Sequence, residues 1–184
     1  MLLEACRAAA RWNWDGRIAV NLSGAQLQLS DVGEMVADTL LATGLAPSRL
    51  DLEVTESVLV GQDEALTRSL SRLRDLGVGI AIDDFGTGYS SLSYLSALEF
   101  DKLKIDQSFI RRLEDGAADL AIVEAIVDLA KRLGKITVAE GVETQRQRAL
   151  VTQMGCDICQ GWLSGKPLPA AEFEELLADV ERAA

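Results

Sequence analysis

Short apolar segments alternate with helical segments from one end of this chain to the other. Six apolar segments are predicted as strands, at 17–23, 49–56, 77–84, 101–106, 135–142 and 157–162. Longer segments between them repeat apolar residues at helical spacing, as at 31–44, 63–77 and 118–134. Gly44, Gly77 and Gly134 each stand where such a segment ends, which is typical of helix C-termini. Strands separated by helices predict consecutive βα units on a parallel sheet.

Two α/β folds accommodate about six βα units, an open doubly wound sheet and a TIM-like (β/α)8 barrel. The 184 residues are few for a complete barrel, which needs about 250. The G-x-G-x-x-G motif of dinucleotide-binding folds is absent after the first strand. No linker or repeat divides the chain, so residues 1–184 are predicted to form one domain. The polar strand ends described below favour an incomplete barrel.

Charge, histidine content and cysteine content exclude several classes of function. The net charge of −11 argues against a nucleic acid polymer as partner. Histidine is absent, which removes the commonest general base and the commonest zinc ligand. The cysteines are odd in number, as suits a reducing compartment, and Cys156 and Cys159 are interpreted as ordinary thiols. Residues 1–12 predict an amphipathic helix rather than a signal peptide, and no apolar run reaches membrane length, so we expect a cytoplasmic protein.

Polar side chains stand at the carboxyl end of every predicted strand. In chain order they are Asn21, Glu53, Glu56, Asp83, Asp84, Lys104, Asp106, Glu140, Glu143 and Gln160. In a barrel these ends meet at one face, where catalytic groups lie. Oxygen ligands favour Mg²⁺ or Mn²⁺, and several carboxylates could hold two ions and activate a water for phosphodiester cleavage. Helix caps and surface charges are the simpler alternative for the whole set.

Two groups in this set raise questions of charge. Asp83 and Asp84 are adjacent at the end of an apolar strand, so their side chains are expected to point to opposite sides. Their repulsion and lost solvation require something positive nearby. Lys104 could orient the attacking water or stabilise charge on a phosphate, or it could merely neutralise Asp83 or Asp106. The loop that follows contains Gly86 and Gly88, which would let its backbone bend close to the site.

Successive segments of the chain carry a recognisable series of motifs. They are VNLS, LEVTES, IDDFGTGYSSLSYL, LKIDQSF, VAEGVET and GCDICQGW followed by KPLP. In this order and spacing they resemble the EAL domain, a family of bacterial phosphodiesterases that linearise the second messenger cyclic di-GMP. The resemblance covers the whole chain. It implies hydrolysis to linear pGpG with two Mg²⁺ or Mn²⁺ ions, inhibition by Ca²⁺, and an EAL-type barrel.

The resemblance also implies roles for individual residues. The metal ligands would be Asn21, Glu53, Asp83, Asp84, Glu140 and Gln160. Lys104 would contact the catalytic water, Glu56 would anchor the loop at 85–93, and Glu143 would support the site from outside the ligand set. Substrate contacts are expected at Asp106 and Gly161. A homodimer through the 85–97 loop and helix is expected, as are GGDEF, PAS or other sensory domains upstream in a parent protein.

Two departures from the family pattern accompany the resemblance. A complete family member begins with two further strands, the second of which carries the Glu-Ala-Leu signature and a metal ligand. Glu4-Ala5 belongs to the first helix and is not that signature. Expressed alone, residues 1–184 are therefore expected to be a poor enzyme with open sheet edges. At Ser164-Gly165 the family more often has an aromatic residue and a small one, which could loosen a wall of the guanine site.

Three functions remain open at this point. The first is an active phosphodiesterase, and the second is an inactive relative that acts as a cyclic di-GMP receptor or a protein-interaction module. The third is a barrel enzyme of unrelated chemistry, which the set of motifs disfavours.

Overall fold

The computed structural model describes residues 1–29, 32–59, 64–88, 95, 98–114 and 116–183. Its strands are β1 Ile18–Leu22, β2 Leu50–Thr55, β3 Gly79–Phe85, β4 Lys102–Ile105, β5 Ile136–Ala139 and β6 Ile158–Cys159. Its α-helices are α1 Leu2–Ala9, α2 Gly24–Leu29, α3 Val32–Thr43, α4 Glu64–Asp75, α5 Gln107–Arg111, α6 Ala117–Arg132, α7 Gln145–Met154 and α8 Ala170–Ala183. Short 3-10 helices span Pro47–Arg49 and Glu56–Leu59. Every predicted strand forms, although each is shorter than predicted.

The strands form one parallel sheet in the order β1-β2-β3-β4-β5-β6. A doubly wound sheet reverses its strand order part-way, whereas this order follows the chain throughout. The sheet curls into a half-barrel, so the prediction of an incomplete TIM-like barrel is confirmed. All strand ends of one polarity therefore lie along one rim.

The two faces of the sheet differ in chemistry because side chains alternate along each strand. The outer face carries the apolar residues that pack against the helices, among them Leu52, Ile80, Ile82, Leu103 and Ile105, each no more than 1% exposed. The concave face carries buried charged residues, including Asp51, Glu53 and Lys104. The hydrophobic core thus lies between sheet and helices, and the concave face is free for polar groups.

Three helices end beside the glycines that were predicted to end them. Gly44, Gly77 and Gly134 have φ values of 71°, 87° and 67°, left-handed conformations that favour glycine at the end of a helix. The predicted amphipathic helix at the amino end is present as α1, and it buries Cys6 and Ala9. Within the described ranges, no helix has the length and apolarity needed to cross a bilayer.

The cysteines are all free thiols, and the interpretation of Cys156 and Cys159 as ordinary thiols stays a prediction. Cys156 precedes β6 and its Sγ lies 3.4 Å from the carbonyl oxygen of Ile158. Burial is the chief cause that raises its pKa, which makes the thiol less reactive than usual.

Candidate active site

Lys104 stands at the centre of a group of acids at the carboxyl end of the half-barrel. Its Nζ lies 2.7 Å from Glu53 Oε1, 2.9 Å from Asp83 Oδ1 and 2.6 Å from Glu140 Oε1. These side chains are only 4% to 16% exposed. Three carboxylates therefore share one ammonium in a buried position. We call Glu53, Asp83, Asp84, Glu140 and Lys104 the acidic cluster.

Strand alternation brings the first members of this cluster together. Glu53 on β2, Asp83 on β3 and Lys104 on β4 all occupy the concave face. Ala81 is paired with Glu53 in the β2–β3 register, and its small side chain leaves room above β3. Glu140 directly follows β5, where its backbone N–H donates to the carbonyl oxygen of Ile105 on β4.

The protonation states reflect the shortage of positive charge. Burial lowers the pKa of Lys104, but the hydrogen bonds to the three carboxylates outweigh it and raise that pKa above its ordinary value. Burial raises the pKa of Glu140, and the charges of Asp83 and Glu53 add to this, whereas Lys104 opposes it. Lys104 is thus a fixed cation, and the surplus carboxylate charge remains for another cation to balance.

Asp83 and Asp84 do not point to opposite sides, so that expectation was wrong. The β3–β4 register shifts between Ile82 and Phe85, which marks a bulge, and Asp84 adopts a left-handed φ of 55°. A bulge breaks the strict alternation of an extended strand. As a result, ligand oxygens of Asp83, Asp84 and Glu140 lie within 4.8 Å of one another.

This donor set suits a hard divalent cation. The converging atoms are carboxylate oxygens, which Mg²⁺ and Mn²⁺ prefer, and one ligand comes from each of three backbone positions that the sheet fixes. Burial is the largest cause that raises the pKa of Asp84, followed by the charges of Asp83 and Asp106. Such mutual repulsion is what a bound cation relieves.

Glu56 binds the loop that follows β3. It is 3% exposed, and its Oε2 accepts hydrogen bonds from the backbone N–H groups of Gly86 at 2.7 Å and Gly88 at 3.4 Å. A Cβ on Gly88 would lie 2.8 Å from Glu56 Oε1, so glycine lets the backbone approach this carboxylate closely. Glu56 therefore holds the backbone at the start of the loop. Residues 89–94, 96 and 97 lie outside the described residues, as does most of the expected dimer contact.

Asp106 and Glu143 lie beside the acidic cluster. Asp106 caps the amino end of α5 by accepting a hydrogen bond from the backbone N–H of Ser108 at 2.9 Å, and its charge adds to the burial that raises the pKa of Asp84. Glu143 points to Arg111, with 3.7 Å between its Oε1 and the guanidinium. The geometry gives Asp106 a capping function and places Glu143 next to, rather than within, the group around Lys104.

Asn21 and Gln160 occupy the expected rim, although the structure does not bring them into contact with Lys104. Asn21 is exposed and pairs in register with Glu53. Gln160 is exposed, and its backbone bonds to Ala139 and Val142. Gly161 has a φ of 156°, and a Cβ there would lie 2.3 Å from the backbone of Val142, so the turn requires glycine.

A cleft of about 820 Å³ opens beside the acidic cluster. Its polar lining includes Arg111, Glu140, Glu143 and Gln160, and its apolar lining includes Trp162, Leu168 and Phe173. Trp162 is 60% exposed, so a large aromatic face is available to a ligand. The combination suits an aromatic base attached to a polar group.

A second group of charges lies at the opposite end of the same concave face and was not found from the sequence. Asp51 accepts hydrogen bonds from Arg17, at distances down to 2.6 Å, and from Lys102 Nζ at 2.6 Å. The Asp51 carboxylate is 4% exposed. We call Asp51, Arg17 and Lys102 the Asp51 cluster. The signal that could have revealed it is alternation: Asp51 and Glu53 share a face, as do Lys102 and Lys104.

Comparison with known proteins decides the family. The family model of the EAL domain matches residues 1–167. The chain belongs to the EAL domain family. It is 47% identical over 184 residues to the bifunctional diguanylate cyclase/cyclic di-GMP phosphodiesterase MucR of Pseudomonas aeruginosa, covering 98% of this chain and 26% of that protein. It is 42% identical over 181 residues to the cyclic di-GMP phosphodiesterase NbdA of the same organism, covering 96% of this chain and 23% of NbdA. The EAL chain thus spans about a quarter of these relatives.

Solved EAL structures share its fold. A MucR phosphodiesterase in complex with cyclic di-GMP superposes with a TM-score of 0.90 at 46% identity, covering 94% of this chain and 71% of that one. The EAL domain of Mycobacterium smegmatis DcpA gives 0.90 at 42% identity, with 97% and 82% covered. BlrP1 of Klebsiella pneumoniae with manganese and cyclic di-GMP gives 0.81 at 34% identity, with 88% and 43% covered.

Proposed function

We propose that this EAL domain hydrolyses cyclic di-GMP to linear pGpG with two Mg²⁺ or Mn²⁺ ions. The observation that carries the proposal is the acidic cluster, in which buried carboxylates converge around a single lysine in a chain of this family. Relatives that are cyclic di-GMP phosphodiesterases, and related structures holding cyclic di-GMP with manganese, support the choice of substrate and metal. For the protein that contains this chain, the activity and substrate are part of the proposal.

The ions would be held by the carboxylates of the cluster. Asp83, Asp84 and Glu140 already converge, and Glu53 shares Lys104 with two of them. Asn21 and Gln160 are proposed to complete the set from the rim, by rotation of their exposed side chains. When bound, two such ions supply Lewis-acid activation of a phosphate and of an attacking water.

Lys104 and Glu56 have proposed roles of their own. Lys104 stays protonated, so it orients or stabilises oxygen atoms at the phosphate rather than accepting a proton. Glu56 holds Gly86 and Gly88 and thereby fixes the start of the loop beside Asp84. Glu143 positions Arg111 at the cleft, and Asp106 fixes the start of α5.

The cleft is proposed to receive one half of the dinucleotide. Its volume of about 820 Å³ is within the range of small-molecule sites. Trp162 offers a face for guanine, and Gly161 shapes the turn that carries it. The net charge of −11 opposes an anionic substrate, so binding of the two phosphates depends on the metal ions and on Lys104.

Partners and location are proposed from the family. We expect a homodimer through residues 85–97, attachment to GGDEF, PAS or other sensory domains in a longer protein, and a cytoplasmic setting. Sedimentation with and without metal and cyclic di-GMP tests the dimer. A monomer under all conditions would contradict it.

Product analysis tests the function directly. The 184-residue chain, and the same chain extended by whatever its gene encodes upstream, are incubated with cyclic di-GMP and Mn²⁺ or Mg²⁺, and products are separated by chromatography. We expect pGpG that disappears with a chelator and falls with Ca²⁺, which holds the phosphate in a looser geometry. Glu174→Gln, on the exposed surface of α8, is the control. Tight binding of cyclic di-GMP without product in either protein would favour the receptor function instead.

A further inference from the structure

Two acid–lysine pairs bridge β3 in parallel on the concave face. Lys102 Nζ on β4 reaches Asp51 Oδ2 on β2 at 2.6 Å. Two residues further along both strands, Lys104 Nζ reaches Glu53 Oε1 at 2.7 Å. Because β3 lies between β2 and β4, each pair spans three strands. The Asp51 cluster and the acidic cluster are therefore joined by the same two strands.

Small residues on β3 make these bridges possible. Gly79 pairs in register with Asp51, and a Cβ at Gly79 would lie 2.1 Å from Asp51 Oδ1 and 2.3 Å from the Arg17 guanidinium. Ala81, paired in register with both Glu53 and Lys102, is 1% exposed. Any larger side chain at Gly79 would displace the carboxylate that Lys102 binds.

The Lys102–Asp51 pair is held by more contacts than a single ion pair. Arg17 donates from Nε to both carboxylate oxygens of Asp51 at 3.0 Å and from its guanidinium to Oδ1 at 2.6 Å. Arg17 directly precedes β1, so the cluster connects β1, β2 and β4. With its carboxylate 4% exposed, Asp51 is a rigid anchor for Lys102.

We infer that Asp51 and Lys102 are positioning residues that set the place of Lys104 relative to Glu53. The inference rests on the function proposed above for the acidic cluster. β4 has only four residues, so an anchor at its first residue leaves little freedom for Lys104 at its third. Anchored there, Lys104 meets three carboxylates at once, and these acids are held ready for the metal ions.

A purely electrostatic effect of Lys102 has the opposite sign. Removing a positive charge close to a cation site strengthens binding of a divalent cation. Removing a positioning contact weakens it, because the ligands are no longer held in one arrangement. The sign of the change in metal affinity therefore separates the two effects.

The experiment compares Lys102→Met, Lys102→Arg and Lys135→Met in the 184-residue chain. Lys135 is a matched control: it precedes β5 at the same end of the sheet and donates to the carbonyl oxygen of Phe100 at 2.6 Å rather than to Asp51. Mn²⁺ affinity is measured by titration calorimetry. NMR of ζ-¹⁵N-labelled lysine reports on Lys104 in the metal-free chain. The Lys104 signal has to be assigned among those of the chain's lysines, at 102, 104, 131, 135 and 166.

We expect Lys102→Met to raise the Mn²⁺ dissociation constant about tenfold, as loss of a residue behind a ligand typically does. It should also shift the Lys104 signal in the metal-free chain. Lys102→Arg, which keeps a donor and a charge, should restore affinity to near the unmodified value. Lys135→Met should change neither quantity.

Tighter Mn²⁺ binding in Lys102→Met, or a Lys104 signal that moves no more than in Lys135→Met, would overturn the inference. If neither the unmodified 184-residue chain nor its upstream extension binds Mn²⁺ or forms pGpG, the proposed function fails. The metal-free NMR comparison still decides whether Lys102 positions Lys104.

Discussion

The acidic cluster and the Asp51 cluster occupy the same concave face with opposite ratios of charge. In the acidic cluster, Lys104 faces the three carboxylates of Glu53, Asp83 and Glu140. In the Asp51 cluster, a single carboxylate is held by two cations, Arg17 and Lys102. Buried charge is tolerated where it is paired and hydrogen-bonded. The charge of Asp51 is therefore already balanced within its own cluster, whereas the acidic cluster is poised for further positive charge.

The largest effect expected from this difference concerns activity. Glu53→Ala and Asp83→Ala each remove a proposed ligand, so metal-dependent formation of pGpG should fall at least about a hundredfold, or roughly 2.7 kcal/mol in the barrier. Turnover is measured at saturating Mn²⁺ in whichever protein forms pGpG, the 184-residue chain or the chain extended upstream.

The controls for that measurement are Cys156→Ser and Cys159→Ser. Both thiols are free and half-buried, and neither contacts Lys104 in the described structure, although Cys159 lines the cleft. Their turnover should stay near normal. Loss of turnover in a folded cysteine variant would mean that the thiols take part in the site. Full activity of Asp83→Ala would refute the metal ligation.

The next effect concerns the free energy of unfolding. Here we expect the larger change at the Asp51 cluster and the smaller one at the acidic cluster. Asp51→Ala leaves Arg17 and Lys102 without their carboxylate, and breaking a buried pair typically costs 3–5 kcal/mol. Because Arg17 is 39% exposed, part of its charge is solvated, and we expect a loss of about 2–3 kcal/mol in the free energy of unfolding.

Asp83→Ala provides the matched comparison without metal. Two carboxylates remain around Lys104, and one repulsion is removed, so stability should change by less than about 1 kcal/mol. Urea unfolding of the metal-free variants measures both effects. A larger loss for Asp83→Ala than for Asp51→Ala would reverse the proposed distinction between the clusters.

The sequence predicted the strands and most of the acidic cluster, because both depend on local periodicity. Glu53, Asp83, Lys104 and Glu140 each end an apolar strand, and parallel strands bring such ends together. The bulge at Asp84 was not predictable, since neighbouring strands set the register shift and no residue in the segment required a positive φ. The same holds for Asp51 with Lys102: 51 positions separate them, and only the curled sheet brings them within reach.

Substitution of Gly79 tests whether stability depends on the space that this glycine leaves for the Asp51 cluster. Gly79→Ala would place a methyl group against Asp51 and Arg17, and overpacking of this kind costs about 1–3 kcal/mol. Gly165→Ala is the control, since a Cβ there meets no atom within 4 Å. Thermal unfolding of both variants gives the comparison. Equal stability would show that Asp51 and Arg17 move aside without cost.

The smallest effect concerns Asp157, a carboxylate held by neutral donors rather than by cations. Its Oδ2 accepts from the backbone N–H of Thr137 at 2.8 Å and from the Thr137 hydroxyl at 2.7 Å, and these bonds lower the pKa of Asp157 below its ordinary value. A lowered pKa in the folded state means that the stabilisation is complete above about pH 4, where the unfolded side chain is also ionised. It is lost as the pH falls below 4 through the lower folded pKa.

Asp157→Asn should therefore cost less than about 1 kcal/mol at pH 7, because Asp157 is exposed and water screens the contact. The difference from the unmodified chain should shrink towards zero between about pH 4 and pH 2. Urea unfolding across this range measures it, with Glu174→Gln on α8 as an exposed acid for comparison. The bonds to Asp157 come from neutral donors, and only the smaller contribution of the Lys131 charge is screened by salt. The difference at pH 7 should therefore fall less with added salt than the loss in Asp51→Ala, where the charge of the partly exposed Arg17 is screened. A difference that stays constant down to pH 2 would mean that the Asp157 bonds to Thr137 are indifferent to ionisation.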